Sequence, residues 1–439
     1  MQNFVYIETY GCSANKNNSE IMSGLLKQGG YELTNNQNIA EIIIINTCIV
    51  KTKTESKIKR RIQDLSKLYK NKLMIIAGCM PETDRHSLKT INPNLLLLGI
   101  HHIKEICQLI SDYKNNQINN HQKEKEYFSV KNEEKLCIPK ISSNKLISII
   151  QISEGCLGEC KFCKTKLAKG PLFSYDENKI LKSIESDLKT GAKEIWLTSQ
   201  DCASYGLDRE DKKPKLPELL RKILALNHRF KIRLGMMNPN HLYPILDEMT
   251  DIYKNPKIYK FIHIPIQSAS NKILKDMNRY YNLERAEIII KKFKEQFPDA
   301  TIATDIIAGY PDETEQDHQI NMDFIQKFKP DVLNLSKFST HPGTEAGKLK
   351  PLPLYTVNKR TSQLMELHRK ISKNSKLKYK DKEIKVFINT KTKIPNILEA
   401  RDDNYNIVLI KSNDKSISGK TIKVKIKQTG VHHMIGEIL

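Results

Sequence analysis

The chain has 439 residues, of which 39% are hydrophobic and 28% are charged. At ~150 residues per domain, this length predicts about three domains. The 18 Gly and 17 Pro residues exclude collagen-like and wholly disordered chains. The longest aliphatic runs, Ile42–Ile45 and Leu95–Leu98, have four residues each, whereas a membrane span needs about 20. No basic region followed by an apolar stretch marks an export signal, so we expect a cytoplasmic protein without a membrane segment.

Charge and cysteine content narrow the function classes. Lysine and arginine outnumber aspartate and glutamate by 72 to 50, a net charge of +22. An excess of this size favours a polyanionic partner, although solubility alone also favours charge. The chain has nine cysteines. In a reducing compartment, cysteines in spaced groups are metal ligands or catalysts more often than disulfides.

Residues 1–110 predict a parallel α/β domain. Three strand-forming runs each end just before a cysteine, and helical periodicity over 20–28 and 54–69 lies between them. This order is typical of a parallel sheet, whose strands all end at one edge. The three cysteines can therefore meet, either as a three-thiolate metal site or as buried structural residues. The runs and cysteines are Phe4–Thr9 with Cys12, Ile42–Thr47 with Cys48, and Leu73–Gly78 with Cys79.

A second cysteine group follows a polar segment over 111–144 that is predicted to be a linker. The β-branched run Leu146–Ile152 predicts a buried parallel strand. After it, Cys156, Cys160 and Cys163 supply three thiolates, with no fourth Cys or His nearby. Structural zinc prefers four ligands, whereas three thiolates on a four-iron cluster leave one iron open for a substrate. An unconnected zinc or thiol loop is the alternative.

Residues 145–353 contain six short apolar runs that alternate with helical segments. This pattern predicts a partial (β/α)6 barrel with its active site at the carboxyl ends of the strands. An open side would admit a macromolecular substrate. The runs are Ile147–Ile152, Glu194–Leu197, Lys231–Gly235, Phe261–Ile266, Ala303–Ile307 and Val332–Phe338. The remaining cysteines, Cys107, Cys137 and Cys202, receive no predicted role.

The C-terminal part predicts a basic connecting helix over 354–380 and a small β-barrel over 381–439. Thr421–Lys427 alternates apolar residues with lysine, which indicates one buried face and one face of ammonium groups. Lys423, Lys425 and Lys427 are therefore candidate RNA-binding residues, because small basic β-barrels commonly bind nucleic acids. A charged edge strand that prevents aggregation is the alternative.

The combined motifs resemble the radical S-adenosylmethionine methylthiotransferase family. The loop Gly155–Cys163, with Phe162 before its third cysteine, is similar to the signature loop of the radical S-adenosylmethionine superfamily. The family has an N-terminal methylthiotransferase domain, a central radical domain and a C-terminal TRAM domain. Further matches are Glu8–Cys12, Asn46–Cys48, Gly78–Met80, Ile195–Asp201, Met237–Pro239, His263–Ser268, Thr304–Thr314 and Pro342–Thr344.

The resemblance implies a fold, cofactors and a substrate. Cys163–Lys166 with the following Lys169 and Gly170 looks like the archaeal and eukaryotic branch, which implies N6-threonylcarbamoyladenosine next to the tRNA anticodon as the substrate. It also implies S-adenosylmethionine and two [4Fe-4S] clusters, one of which carries sulfur while the other cleaves S-adenosylmethionine. The tRNA anticodon loop, an unidentified electron donor and an unidentified sulfur donor are the implied partners. The implied cluster ligands are Cys12, Cys48 and Cys79, and Cys156, Cys160 and Cys163.

Six further residues are candidates for contacts with S-adenosylmethionine. One adjoins the third cysteine of the loop, and the others lie at predicted strand ends, where each could equally cap a strand. They are Phe162, Gln200, Asp201, Gln267, Asp305 and Gly309.

Three departures from the family pattern bear on the substrate more than on the chemistry. Ala269 stands where Gly is usual, Lys169 where Arg is usual, and Thr340-His341 where Pro-Arg is common. Isopentenyladenosine in tRNA and an aspartate of a ribosomal protein are alternative targets. The net charge of +22 on this chain disfavours the ribosomal protein, because that target is itself basic. A non-catalytic RNA-binding protein that uses its cysteines for zinc or structure is the alternative of another class.

Overall fold

The N-terminal domain is a parallel sheet covered by helices on both faces. The computed structural model describes residues 3–119 and 127–439. The first elements are β1 (Phe4–Thr9), α1 (Ser13–Gln28), β2 (Glu32–Leu33), β3 (Ile42–Thr47), α2 (Thr52–Leu68), β4 (Leu73–Gly78), α3 (Met80–Thr83), α4 (Arg85–Ile91), β5 (Leu96–Gly99), a 3₁₀ helix (Ile100–Glu105) and α5 (Ile106–Asn119). The strands pair in parallel in the order β2-β1-β3-β4-β5. Ile43 and Ile45 of β3 pack with α2, and Ile42 and Ile44 pack with α1 and α5.

The central domain is a partial barrel of six parallel strands, as predicted. Its elements are β6 (Ile147–Gln151), β7 (Ser153–Glu154), α6 (Lys164–Lys169), β8 (Phe173–Ser174), α7 (Glu177–Lys189), β9 (Glu194–Thr198), a 3₁₀ helix (Cys202–Ser204), α8 (Leu216–Leu224), β10 (Lys231–Leu234), α9 (Pro239–Leu242), a 3₁₀ helix (Tyr243–Ile245), α10 (Leu246–Ile252), β11 (Phe261–His263), α11 (Asn271–Asp276), α12 (Leu283–Gln296), β12 (Thr301–Ala308), α13 (Glu315–Phe328), β13 (Val332–Lys337) and a 3₁₀ helix (Ala346–Lys348). The strands form two parallel sheets, β6-β9-β10 and β11-β12-β13. A parallel bridge between Ile232 and Ile258 joins them, and within the described residues no ladder joins β6 to β13.

The C-terminal domain is a closed five-stranded barrel that follows a long helix. The helix is α14 (Leu354–Leu377), and the barrel consists of β14 (Glu383–Lys391), β15 (Ile397–Arg401), β16 (Ile407–Lys411), a 3₁₀ helix (Lys415–Ile417), β17 (Thr421–Thr429) and β18 (Met434–Ile438). The strand order is β14-β15-β16-β18-β17. The alternating run Thr421–Lys427 predicts β17, whereas the short run of mixed polar and apolar residues in β15 shows little β pattern. Its pairing with β14 and β16 stabilises it.

The segment predicted as a linker packs closely against its neighbours where the structure describes it. Helix α5 runs past residue 110 to Asn119, and residues 120–126 lie outside the described part of the chain. Ile141 donates its backbone N–H to the Glu20 carbonyl of α1 at 2.9 Å. The Asn144 amide donates to the Asn389 carbonyl of the C-terminal barrel at 2.7 Å. The polar composition of this segment serves specific hydrogen bonds between domains, as buried polar groups require.

Helix α14 attaches to the central domain through a buried ion pair. The Arg360 guanidinium donates to the carboxylate of Glu313 at 2.9 Å and to its carbonyl at 2.7 Å. The two side chains are 5% and 0% exposed. Among the described residues, no helix is both long and apolar enough to cross a membrane.

This burial predicts unequal effects of removing two cations from the same helix. Arg360→Met leaves the Glu313 carboxylate buried and unpaired, which should lower the free energy of unfolding by about 3–5 kcal/mol. Lys370→Met is the matched control, since Lys370 and its partner Glu366 are 71% and 70% exposed, and it should cost at most about 0.5 kcal/mol. Urea unfolding of both variants measures the difference, and equal losses would contradict the importance of burial.

Candidate active site

Cys12, Cys48 and Cys79 follow three adjacent strands, β1, β3 and β4, at one edge of the N-terminal sheet. Cys48 and Cys79 are buried, whereas Cys12 is exposed. The loop before Cys12 touches Cys48: Gly11 has a φ of +104°, and a Cβ added to it would lie 2.9 Å from Cys48 Sγ. Only glycine combines this backbone conformation with so close an approach. The predicted three cysteines therefore share one edge.

Asn15 holds two of the cysteine loops together. Its amide donates to the Tyr10 carbonyl at 3.0 Å and to the Thr47 carbonyl at 2.6 Å. Its Oδ1 lies 3.9 Å from the Cys79 thiol. The sequence analysis does not identify Asn15, because an asparagine three residues after a cysteine carries no metal-binding pattern.

The second cysteine group lies in the loop between β7 and α6. The Gly158 N–H donates to Cys156 Sγ at 3.2 Å, and Arg279 Nη1 donates to Cys160 Sγ at 3.2 Å. A Cβ added to Gly158 would lie 3.4 Å from Cys156 Sγ and 3.6 Å from Cys160 Sγ. The sequence analysis missed Arg279, which is more than 100 positions away from these cysteines. Donors to cysteine sulfur are a recognised feature of iron–sulfur sites, where they tune the reduction potential.

Burial favours the protonated form of four of these thiols. It raises the pKa of both Cys79 and Cys156 to about 12, and it also raises the pKa of Cys48 and Cys163. Thiolates are the metal-binding form, so loading either site must release protons.

The donor set fits iron–sulfur clusters better than single ions. Across residues 3–119 and 127–439, no three His, Cys, Asp or Glu side chains are close enough to hold one metal ion. A four-iron cluster does not require such closeness, because each thiolate binds a different iron. The converging thiols suit such a cluster at either site, and at the second site two donors also reach the sulfur atoms.

A cleft lies beside Cys160, next to the second cysteine group. Asp201 organises its wall: Oδ1 accepts the backbone N–H of Ala203 at 3.1 Å and of Asn238 at 2.9 Å, and Oδ2 contacts His241. Asp201 therefore caps the 3₁₀ helix Cys202–Ser204 and reaches the cleft through Asn238 and His241. The lining residues are Leu157, Gly158, Cys160, Asn238, His241, Asn278, Arg279 and Tyr280.

Two other predicted cofactor residues belong to the β9 and β12 regions. Gln200 follows the end of β9, whereas Asp305 lies within β12 and not at a strand end, where the sequence predicts it. The Gln200 amide oxygen is buried without a hydrogen-bond partner in the described part of the chain, which leaves it free to accept from a ligand. Asp305 accepts hydrogen bonds from His263 at 2.9 Å and from Asn334 at 2.7 Å. Burial raises the pKa of Asp305, but these hydrogen bonds outweigh it and hold the pKa below its usual value.

The last three predicted cofactor residues have structural contacts. Gln267 has a φ of +66° and pairs with Ile306 of β12. Gly309 has a φ of +77°, and a Cβ added to it would lie 2.6 Å from the Val357 side chain of α14. Phe162 packs among apolar side chains that include Tyr310. Direct contacts of these three residues with a cofactor stay a prediction.

The lysines of β17 differ in their electrostatic surroundings. Lys427 forms an ion pair with Glu437 at 2.8 Å, and Lys425 lies between Glu383 and Glu437 in the strand register. Lys423 instead lies opposite Lys385 of β14, and neither makes an ion pair with any described residue. The Lys385–Lys423 pair therefore presents the less neutralised positive charge.

Gly11 provides a test of the first cysteine site. Gly11→Ala should prevent cluster loading there, because its methyl group would lie 2.6 Å from Cys48 Cβ. If each cysteine group holds one four-iron cluster, as the family resemblance implies, the iron content after anaerobic reconstitution should fall by about half. Gly30→Ala is the control, since Gly30 also has a positive φ, +84°, but no atom within 4 Å. Equal iron contents in the two variants would contradict this geometry.

Comparisons with known proteins agree with this architecture. Residues 4–99 match the model described as uncharacterized protein family UPF0004, and residues 150–325 match the radical SAM superfamily. The second match implies S-adenosylmethionine and iron–sulfur chemistry. The radical S-adenosylmethionine methyltransferase TsrM from Kitasatospora setae shares the fold, with a TM-score of 0.56 and 12% identity over 79% of this chain and 75% of that chain.

Full-length relatives define the family. The chain is 37% identical to the "Probable threonylcarbamoyladenosine tRNA methylthiotransferase" of Pyrococcus horikoshii, over 99% of both chains. It is 32% identical to the human "Threonylcarbamoyladenosine tRNA methylthiotransferase", over 99% of this chain and 73% of the human one. With this similarity along its whole length, the chain belongs to the radical S-adenosylmethionine methylthiotransferases, in the group of threonylcarbamoyladenosine tRNA methylthiotransferases.

Proposed function

We propose that this protein converts N6-threonylcarbamoyladenosine next to the tRNA anticodon into its 2-methylthio derivative. The observation that carries the proposal is the presence of two groups of three cysteines, each at the carboxyl edge of a parallel α/β unit. The names of the full-length relatives support the nucleoside.

The target bond explains the need for two cysteine sites. The C2 position of adenine has neither a usable acidic proton nor a leaving group. Acid–base catalysis by side chains therefore cannot replace the hydrogen atom at C2. When bound, S-adenosylmethionine and the clusters supply radical hydrogen abstraction and the sulfur group. We assign Cys156, Cys160 and Cys163 to the cluster that cleaves S-adenosylmethionine. We assign Cys12, Cys48 and Cys79 to the cluster that carries sulfur.

The chain itself positions and shields the reactants. Asp201 orients Asn238 and His241 at the cleft beside Cys160, and the unpartnered Gln200 oxygen is a candidate acceptor for S-adenosylmethionine. The open side of the barrel would admit an anticodon loop, whose bases can unstack into a site. An electron donor and a sulfur donor complete the proposed reaction.

Nucleoside analysis tests the proposed substrate. In a strain that lacks this protein, we expect 2-methylthio-N6-threonylcarbamoyladenosine to disappear from tRNA and its unmethylthiolated precursor to accumulate, as measured by mass spectrometry. The wild-type protein should restore the product, whereas Cys156→Ala should not. Cys137→Ala is the matched control, because Cys137 is exposed beside Ser183 and outside both groups.

The failures of this experiment are informative. Loss of 2-methylthio-isopentenyladenosine instead would make the substrate assignment wrong. Full restoration by Cys156→Ala would make the radical mechanism wrong and favour a non-catalytic RNA-binding protein.

The C-terminal barrel predicts a measurable electrostatic contribution to tRNA binding. Lys423→Gln should weaken tRNA binding and reduce the slope of log affinity against log salt concentration by about 1, because one phosphate contact is lost. Lys427→Gln should change the slope less, since Glu437 already neutralises that ammonium group. Binding assays across a salt series compare them, and a larger effect of Lys427→Gln would contradict this surface.

A further inference from the structure

A buried cation lies between the two cysteine groups. Helix α6 begins directly after Cys163 and ends at Lys169. The Lys169 ammonium contacts Glu154, and the same carboxylate also contacts Lys135. The three side chains are 1%, 3% and 2% exposed, respectively. The carboxylate of Glu154 therefore pairs with two ammonium groups, and all three side chains are shielded from solvent.

This arrangement leaves an excess of positive charge. A buried charge is tolerated when an opposite charge compensates it. Within the described residues, no carboxylate other than that of Glu154 pairs with Lys169 or Lys135. Lys164, on the same helix, differs: its ammonium group contacts both Glu55, at 3.2 Å, and Asp84, at 2.6 Å. Of the two buried cations of α6, Lys169 is thus the one that lacks full compensation.

The first cysteine group is the neighbour that could supply the missing negative charge. Ala168, the residue before Lys169, packs in one apolar cluster with Cys48, Cys79 and Met80. His101 of the N-terminal domain fixes this position, because its Nε2 lies 3.2 Å from the Ala168 carbonyl oxygen. The end of α6 is thereby held against the cysteine edge of the N-terminal sheet.

The titration behaviour of the two lysines agrees with this placement. Burial lowers the pKa of both, and the pKa of Lys135 lies below its usual value. The pKa of Lys169 is nevertheless raised, because Glu154, Cys79 and Cys12 favour its charged form.

We propose that Lys169 is a positioning residue for the cluster held by Cys12, Cys48 and Cys79, whose thiolate charge its buried ammonium group balances. The inference rests on the proposed function, which assigns a cluster to these cysteines. Net charge and the surroundings of the sulfur atoms set the reduction potential of such clusters. A nearby fixed cation favours uptake of an electron by the cluster, so Lys169 holds the potential of this cluster high without touching the substrate.

Redox titration of the full-length protein tests the role of Lys169. The background carries Cys156→Ala, Cys160→Ala and Cys163→Ala, so that only the first cluster is present, and dithionite with mediators supplies the electrons. At a fixed potential, Lys169→Met should lower the ratio of reduced to oxidised cluster at least tenfold, read by electron paramagnetic resonance, which corresponds to about 59 mV for one electron. Lys169→Arg, which keeps the charge, should match the parent.

Two further variants separate charge from folding. Lys169→Gln repeats the loss of charge with a polar side chain, in case Lys169→Met folds poorly. Lys164→Met removes a buried cation from the same helix, but one that two carboxylates already compensate. It should lower the melting temperature and leave the potential unchanged.

The outcomes distinguish this inference from the proposed function. An unchanged potential in folded Lys169→Met and Lys169→Gln, or an equal shift in Lys169→Arg, would overturn the role of Lys169 alone. A protein with intact cysteines that holds about four irons per chain, one cluster's worth rather than two, would overturn the two-cluster function as well.

Discussion

Buried ion pairs at both ends of helix α6 attach the two cysteine groups to the same short helix. At its start, Lys164 joins the loop of the second group to Glu55 and Asp84 of the N-terminal domain. At its end, Lys169 and Glu154 close the same loop beside the first group. The helix has only six residues, so it has little freedom to bend. Two domains that could otherwise move separately are therefore tied together beside both cysteine groups.

The chemistry depends equally on the direction of the strands. Parallel strands end at one edge, and both domains use that edge for cysteines. Burial then raises the pKa of several of these thiols, which ties cluster loading to proton release. Gly11 keeps a side chain from colliding with Cys48. The backbone at this position thus leaves space for a cluster.

Particular residues show where prediction from the sequence succeeds and where it stops. The strands before each cysteine are strongly apolar and β-branched, so local pattern predicts them and their parallel order. Strand β15 has a weak local pattern and depends on its neighbours for stability. Gly309 is predicted as a cofactor contact from its place at a strand end, and this contact stays a prediction; that Gly309 also packs closely against Val357 of α14 is visible only in the structure. The position of a residue along a strand predicts which edge of the sheet it lies at. It does not predict which side chains of other elements pack against that edge.

The sequence by itself determined the class of this protein: three domains, two cysteine groups and a basic C-terminal barrel, because spacing and periodicity are local properties. Only the tertiary structure decided which distant side chains surround the sulfur atoms. Arg279 donates to Cys160 from more than 100 positions away, and Asn15 spans two cysteine loops. In the sequence, Lys169 is only a lysine at a position where the family usually has arginine. The role inferred for it depends on its burial beside Glu154 and the first cysteine group, which the structure shows. Charge compensation depends on distance in space, and distance in space is set by packing rather than by sequence order.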